Sequence, residues 1–152
     1  MPTLPTPRRL RQHLDDVLPL YALPGVELGR TWRKDGWTVR QALFHLADTE
    51  TVFLDRLRRI TAEENPLLLK FDQDAWVERL DDGTRDLALA GRLFAVSRET
   101  IIELIAHHGS GAAKRQGIHN QVGVLTFAQI GAKVFDHCEH HLTQIRQALG
   151  RG

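Results

Sequence analysis

The stretch WTVRQALFHLADTETVFLDRLRRITAEENP constrains the fold more than any other part of this chain, because it predicts one long amphipathic helix. Thr38 and Gln41 have the spacing of a capping box, in which each side chain satisfies a backbone N–H group of the other residue. Asn65 and Pro66 end the pattern, since a residue before proline avoids helical backbone angles. Apolar or small side chains recur every three or four positions on one face, as packing against a core requires: Val39, Ala42, Leu46, Thr49, Phe53, Leu57 and Ile60.

Two other segments carry helix start or stop signals. Thr6 is a candidate N-cap, and Pro7 stands in the first helical turn, where its missing N–H costs nothing. That helix is expected to end or kink near Pro19. Residues 84–108, TRDLALAGRLFAVSRETIIELIAHH, predict a third long helix, with Gly109 as its stop.

The last long helix is predicted to begin at Thr126, which repeats the capping-box spacing with Gln129. The glycine-containing, polar residues 110–125 before it are predicted to form a loop. The inner face of this helix is predicted to contain Phe127, Ile130, Val134, Cys138, His141, Ile145 and Ala148.

A long link, residues 67–83, separates the second and third long helices, and Asp72 to Leu80 within it is predicted to form a short helix. A link of this length exceeds what an αα-hairpin needs, so a crossover between helices two and three is expected. Four long helical patterns, with no persuasive alternating strand and no internal repeat, predict an all-α four-helix bundle. At 152 residues the chain is predicted to form one domain, residues 1–152.

Charge and cysteine content exclude several classes of function. Twenty basic and nineteen acidic side chains give a formal charge of +1, which provides no net attraction to nucleic acid or to an anionic membrane. The basic run Arg56, Arg58 and Arg59 is interpreted as a solvated helix face. Cys138 is the single cysteine and cannot form an intramolecular disulfide, and no amino-terminal segment is apolar enough for a signal peptide or membrane span. A cytoplasmic protein is therefore expected.

The segment FDHCEHHLTQ places three histidines within five positions of the last helix. His137 and His141 are four residues apart, so they project from the same side of a helix. His140 is turned about 100° away from His141 and is expected to face water or to lie behind the ligands. A histidine pair of this spacing is by itself a weak signal for metal binding.

His45 strengthens that signal because it flanks the apolar stripe of the second helix. Helix axes in a bundle lie about 8–10 Å apart, so imidazoles from two helices can meet at one ion. Three neutral nitrogen ligands suit Zn²⁺, Ni²⁺ or Fe²⁺ and leave a position for water or substrate. The alternative is that His45 is hydrogen-bonded at the edge of the core to Asp48 or Thr49.

Four segments together resemble the DinB-like (YfiT-related) superfamily of metal-binding four-helix bundles: GWTVRQALFHLADTE, RLRRITAEENP, FDQDAW and GVLTFAQIGAKVFDHCEHHLTQI. The resemblance covers most of the chain from about Trp32 to the end. Its most specific parts are a tryptophan-led helix start, the histidine in HLAD, and HxxxH on the last helix followed by a glutamine. By this resemblance the metal ligands are His45, His137 and His141, with water or a substrate atom in the open positions.

The resemblance also implies an up-down-down-up order of the long helices and the homodimerisation that is frequent in such proteins. Related proteins include transferases and isomerases that use low-molecular-weight thiols, as well as proteins named for induction by DNA damage. Because one fold carries several functions, the resemblance does not fix the reaction.

The function predicted from these observations is a divalent-metal-dependent enzyme acting on a small molecule, either a thiol-dependent S-transferase or a hydrolase. The ion would activate a thiol or a water molecule at neutral pH. Gln144 is a candidate to orient a ligand, and Asp48 is a candidate hydrogen-bond acceptor or base. The alternative is a non-catalytic stress-response or small-molecule-binding protein in which the metal only joins two helices.

Five polar or aromatic residues have no role that the sequence decides: Asp72, Gln73, Trp76, His119 and His140. The first three could line a pocket, or they could cap and pack the short helix. His119 lies in the predicted loop before the metal-bearing helix.

Overall fold

The structure, a computed structural model, describes residues 2–81 and 83–151. Its four long helices are α1 (Pro7–Val17), α3 (Val39–Ala62), α5 (Leu87–Ala112) and α6 (Phe127–Ala148). A 3₁₀ turn (Leu18–Ala22) follows α1, and two short helices lie in connections, α2 (Gly25–Leu28) and α4 (Gln73–Leu80). Three short strands are β1 (Leu67–Leu68), β2 (Gln116–His119) and β3 (Gly123–Thr126). None of the described helices is long and apolar enough to cross a membrane.

The predicted helix starts are confirmed. Thr6 accepts a hydrogen bond from the Arg9 N–H at 3.3 Å. Thr38 with Gln41, and Thr126 with Gln129, form reciprocal capping boxes at the starts of α3 and α6. Because each residue turns a helix by about 100°, a fixed start decides which face every later side chain occupies. The two caps therefore set the direction of the histidines on both helices.

The buried apolar side chains form two clusters that reveal the helix directions. One cluster contains the end of α1, the starts of α3 and α5, and the end of α6: Val17, Val39, Phe94 and Ile145. The other cluster contains the opposite ends of the same helices: Leu10, Leu57, Ile101 and Phe127. Helices α1 and α6 therefore run one way and α3 and α5 run the other way. The predicted four-helix bundle with an up-down-down-up order is confirmed.

The connection between α3 and α5 must return along the bundle, because both helices start at the same end. It contains β1 and α4, and Asp72 caps α4 by accepting a hydrogen bond from the Ala75 N–H at 3.0 Å. Arg115, just after α5, anchors the beginning of this connection by donating to the carbonyl oxygens of Ile60 and Glu63, each at 2.8 Å. The predicted crossover and its short helix are both present.

The prediction that residues 110–125 form a loop was wrong. Strands β2 and β3 pair antiparallel as a hairpin, and β2 also pairs parallel with β1. Each strand has four residues or fewer, which is too short for an alternating pattern to be recognised in the sequence. Gly117 allows the close approach of β1, since a Cβ atom there would lie 2.9 Å from Leu68 Cδ1. The small sheet brings His119 beside α3, where its Nε2 lies 3.2 Å from Arg56 Nη2.

The predicted stop of the third long helix at Gly109 was also wrong, because α5 continues to Ala112. A Cβ atom at Gly109 would lie 2.7 Å from Leu4 Cδ2. This glycine therefore makes room for the amino-terminal segment instead of ending the helix. A sequence pattern does not distinguish these two uses of glycine.

A buried ion pair joins α3 to α5. Glu50 and Arg98 are 1% and 0% exposed. The Arg98 Nη2 donates to Glu50 Oε2 at 3.0 Å, and its Nε donates to Oε1. Burial raises the pKa of the Glu50 carboxyl, and the neighbouring guanidinium opposes that rise. The Glu50 carboxylate therefore depends on Arg98 to remain ionised inside the bundle.

Candidate metal centre

Three imidazoles from two helices converge between α3 and α6. They belong to His45 on α3 and to His137 and His141 on α6, and one ring nitrogen from each lies within 4.8 Å of the others. The Nε2 atoms of His45 and His137 are 2.8 Å apart. Within residues 2–81 and 83–151 this is the one group of three or more histidine, cysteine or carboxylate side chains arranged to hold a metal ion. The structure thus brings together all three ligands predicted from the sequence.

The spacing of these nitrogens fits a shared divalent ion. Two nitrogens bound to one ion at about 2.0–2.1 Å lie about 2.8–3.0 Å apart in octahedral geometry and about 3.3–3.4 Å apart in tetrahedral geometry. The observed separation of 2.8 Å between the Nε2 atoms of His45 and His137 lies at the octahedral end of these values. The histidine set therefore suits the divalent transition metals that imidazole prefers.

The three rings are neutral, as metal ligands must be. Burial, with a smaller contribution from the neighbouring His141, lowers the pKa of His45 to about 3. Burial likewise lowers the pKa of His137 to about 2 and that of His141 to about 4. Removal from water disfavours the imidazolium form, so a lone pair is available on each ring at neutral pH.

Gln144 fixes the orientation of one ligand. Its Oε1 accepts a hydrogen bond from His141 Nδ1 at 2.9 Å, which leaves His141 Nε2 free of a proton. The Gln144 Nε2 donates to His140 Nε2 at 3.1 Å, and His140 is exposed as its helical position predicted. The structure places Gln144 behind a histidine of the triad, so it orients that histidine directly.

Aromatic and hydroxyl groups surround the rings. The Trp37 ring centroid lies 4.8 Å from that of His45 and 5.9 Å from that of His141. Phe53 meets His137 edge-on, with ring centroids 5.7 Å apart. The Thr49 hydroxyl lies 3.4 Å from His45 Nδ1. These neighbours restrict rotation of the imidazoles and keep water from their faces.

The structure corrects the interpretation of Asp48 as an acceptor or base beside His45. Both carboxylate oxygens of Asp48 accept hydrogen bonds from Arg85, at 2.6 and 2.8 Å. A two-pronged pair of this kind holds the carboxylate away from the triad. Arg85 precedes α5 and is distant in the sequence, so the one-turn spacing of Asp48 from His45 could not reveal its partner.

Cys138 does not complete the ligand set. It is 1% exposed, and burial raises the pKa of its thiol to about 12. Its side chain lies against Arg98 of the buried ion pair. The single cysteine is therefore part of the core, on the helix face that the sequence predicted.

Two cavities reach the triad from different sides. One has a volume of about 360 Å³ and is lined by Trp37, His141 and Gln144. The other has a volume of about 440 Å³ and is lined by Phe53 and His137. Both volumes fall within the range of about 300–1,000 Å³ typical of small-molecule sites. A substrate can therefore approach His141 through one cavity and His137 through the other.

The structure places the other residues that the sequence left open. Gln73 and His140 line both cavities at the triad. Asp72 caps α4, and the Trp76 ring packs 4.8 Å from that of Phe71. His119 ends strand β2 and is buried, which corrects its assignment to a loop.

Arg56 is a residue whose environment the sequence did not predict. It was interpreted as part of a solvated face, but it is half-buried and lines the cavity that reaches His137. Its Nη2 donates to the Leu69 carbonyl oxygen at 2.7 Å. The position of Arg56 one helical turn beyond Phe53 could have suggested that it follows the inner face.

Comparison with known proteins places the chain in a family. Residues 6–145 match the model of the DinB superfamily. This chain belongs to the DinB superfamily. The resemblance found in the sequence is confirmed, and it extends over both histidine-bearing helices of this DinB-superfamily protein.

Relatives of this DinB-superfamily protein are named as candidate metal-dependent hydrolases. Two come from Oceanobacillus iheyensis. One is 28% identical over 123 residues, covering 81% of this chain and 70% of the relative. The other is 29% identical over 126 residues, covering 82% of this chain and 72% of the relative. The solved structure of YfiT from Bacillus subtilis matches with a TM-score of 0.78 and 25% identity, over 96% of this chain and 89% of YfiT. YfiT is described as a candidate metal-dependent hydrolase with an unusual four-helix bundle topology.

The metal-free form of this DinB-superfamily protein is expected to lose stability as the pH falls from 7 to 5. In the unfolded chain, a histidine has a pKa of about 6.5. Burial lowers the pKa values of His45, His137 and His141 to about 3, about 2 and about 4 in the folded chain. The unfolded state therefore binds protons that the folded state cannot bind, and each histidine should cost about 1–2 kcal/mol across this interval.

Thermal unfolding in the presence of a chelator, recorded at several pH values, measures this effect. His137→Gln should make the decline with acid shallower. His107→Gln removes an exposed histidine and should leave the decline unchanged. Equal slopes for His137→Gln and the unchanged protein would contradict the assignment of a buried, neutral His137.

Proposed function

We propose that this protein is a metal-dependent hydrolase of a small molecule, with a divalent ion held by His45, His137 and His141. The convergence of three imidazoles without a fourth ligand among the described residues supports this proposal most strongly. Structural zinc sites usually close with a fourth protein ligand, whereas catalytic sites keep a position for water or substrate. When bound, such an ion acts as a Lewis acid and lowers the pKa of a coordinated water or thiol.

The protein's own residues would orient the metal ligands and accept the proton that the attacking water releases. Gln144 holds His141 through Nδ1, so that its other nitrogen faces the ion. Asp136 and His140 line the cavity that reaches His137. Either can accept the proton released when water attacks a substrate in that cavity. The names of the two relatives from Oceanobacillus iheyensis support the same class of reaction.

The other predictions from the sequence concern the same site. The open position of the ion can also take a low-molecular-weight thiol, which would lead to S-transfer to an electrophile instead of hydrolysis. Zn²⁺, Ni²⁺ and Fe²⁺ all accept a three-histidine set. A metal that only joins α3 to α6, in a stress-response or binding protein, would stabilise the fold without turnover.

Reconstitution of the untagged protein separates these possibilities. Metal-free protein would be loaded with Zn²⁺, Ni²⁺ or Fe²⁺ and incubated with panels of esters, amides and lactones, and with electrophiles in the presence and absence of small thiols. We expect hydrolysis that requires the metal and does not require a thiol. Turnover only with a thiol would replace the hydrolase proposal with S-transfer. No turnover by protein carrying one ion per chain would favour the non-catalytic alternative.

A further inference from the structure

The Arg56 guanidinium has donors that the described residues do not satisfy. The Arg56 Nη2 donates a hydrogen bond to the Leu69 carbonyl oxygen at 2.7 Å. The same nitrogen lies 3.2 Å from His119 Nε2. The Arg56 Nε is buried and has no partner within residues 2–81 and 83–151. The nearby Asp55 is bound by Arg59 at 2.8 Å. Burial lowers the pKa of Arg56, as expected for a guanidinium that has lost water without gaining an anionic partner.

His119 presents a hydrogen-bond donor, and not an acceptor, to Arg56. Its Nδ1 accepts hydrogen bonds from the backbone N–H groups of Gln121 and Val122, at 3.2 and 3.3 Å. A neutral imidazole carries its proton on only one nitrogen, so the proton of His119 must be on Nε2. The His119 Nε2–H and the Arg56 Nη2–H groups therefore point toward each other, 3.2 Å apart between nitrogens. An acceptor placed beside them would satisfy both donors.

The space beside these donors leads to the triad. Arg56, Phe71 and Gln73 line the cavity of about 440 Å³ that reaches His137. The same three residues line a neighbouring cavity of about 340 Å³ that contains His119. A small molecule held at Arg56 can therefore extend to His137 of the triad.

No carboxylate around the two cavities forms an ion pair with Arg56 in the described part of the chain. Two exposed lysines and three exposed aspartates accompany it: Lys70, Lys133, Asp72, Asp74 and Asp136. Exposed charges are screened by water and contribute little at a distance. Burial lowers the pKa of His119 most, and the charges of Arg56, Lys133 and Lys70 act in the same direction. The half-buried Arg56 guanidinium is therefore the charge that an anion bound in these cavities would neutralise.

We propose that the substrate carries an oxyanion, a carboxylate or a phosphate, which is bound by Arg56 and His119 next to the metal centre. This inference rests on the proposed function, because it names the class of substrate that the hydrolase takes. The planar guanidinium matches the geometry of both groups. The oxyanion accepts from the guanidinium and from His119 Nε2–H, and the rest of the molecule occupies the cavity that reaches His137.

Nuclear magnetic resonance of the zinc-loaded protein tests the anion site without requiring turnover. The protein would be titrated with acetate, inorganic phosphate or, as a neutral control, acetamide. We expect the Arg56 Nε–H and His119 ring signals to shift and saturate with at least one anion and not with acetamide. A lower Kd for acetate assigns a carboxylate to the substrate, and a lower Kd for phosphate assigns a phosphate.

Three variants locate the binding. Arg56→Gln should raise the Kd at least tenfold, whereas Arg58→Gln removes an exposed charge from the same helix and should leave the Kd unchanged. His119→Asn keeps an oxygen acceptor for the turn, removes the Nε2–H donor, and should raise the Kd about threefold to tenfold. If Arg56→Gln fails to fold because the Leu69 contact is lost, His119→Asn still tests the anion site.

The outcomes separate this inference from the hydrolase proposal. No saturable shift in the folded, zinc-loaded protein would overturn the anion site. An unchanged Kd in both Arg56→Gln and His119→Asn would also overturn it, since the anion would then be bound to the metal alone. Saturable binding that depends on Arg56 would support the site even if the hydrolase panels showed no turnover.

Discussion

The His137→Ala protein is expected to bind zinc at least about 100-fold more weakly than the unchanged protein, because loss of a direct ligand should exceed the 10- to 100-fold cost of losing an outer partner. His137 supplies one of three nitrogens that lie within 4.8 Å of one another. With only two histidines, water would fill most of the ion's coordination positions. Competition with a coloured chelator gives the affinity, and elemental analysis of protein purified without an affinity tag gives the metal content.

His140→Ala is the matched control for that measurement. His140 lies on the same helix, is exposed, and contacts Gln144 instead of joining the triad. Its removal should leave the zinc affinity within a few-fold of the original value. One tightly held ion per chain in His137→Ala, with His45 and His141 intact, would show that the ligand assignment is wrong.

Arg98→Met is expected to lower the free energy of unfolding by about 3–5 kcal/mol, the cost of breaking a buried ion pair by removing one partner. The Glu50 carboxylate would remain 1% exposed and without its cation. It would have to become protonated or draw water into the core. Urea denaturation, followed by circular dichroism, measures the loss.

Two further variants make this prediction specific. In Glu50→Leu with Arg98→Met, both charges are absent and no uncompensated group is left, so most of the lost stability should return. Arg59→Met breaks an exposed pair with Asp55 and should leave the free energy of unfolding nearly unchanged. A double variant as unstable as Arg98→Met would indicate that the arginine acts through its packing and not through its charge.

The sequence predicted the long helices because their signals are local. The caps at Thr6, Thr38 and Thr126 each depend on residues within one turn, and the apolar stripes follow from helical periodicity. Once the starts of α3 and α6 were fixed, the side of each helix that carried histidines was fixed as well. Packing of those sides against each other then brought His45 to the pair at 137 and 141.

The short strands could not be predicted in this way. A strand of four residues gains its stability from pairing with partners, and β1 contacts β2 across about fifty residues of sequence. Gly117 and Gly109 both act as small residues at close contacts, yet in the sequence they suggest a loop and a helix end. Their actual use depends on Leu68 and Leu4, which arrive from other parts of the chain.

By itself, then, the sequence determined the long helices, their buried faces and the three imidazoles that face one another, since each follows from spacing along a helix. Tertiary structure alone decided which charges are satisfied. Arg85 binds Asp48 and Arg98 binds Glu50, whereas Arg56 lies against His119 without an anionic partner among the described residues. Such pairings depend on distances between side chains remote in sequence, and electrostatic energies change steeply with distance and burial. Helical periodicity records which face is inside, and only the folded chain shows which groups meet there.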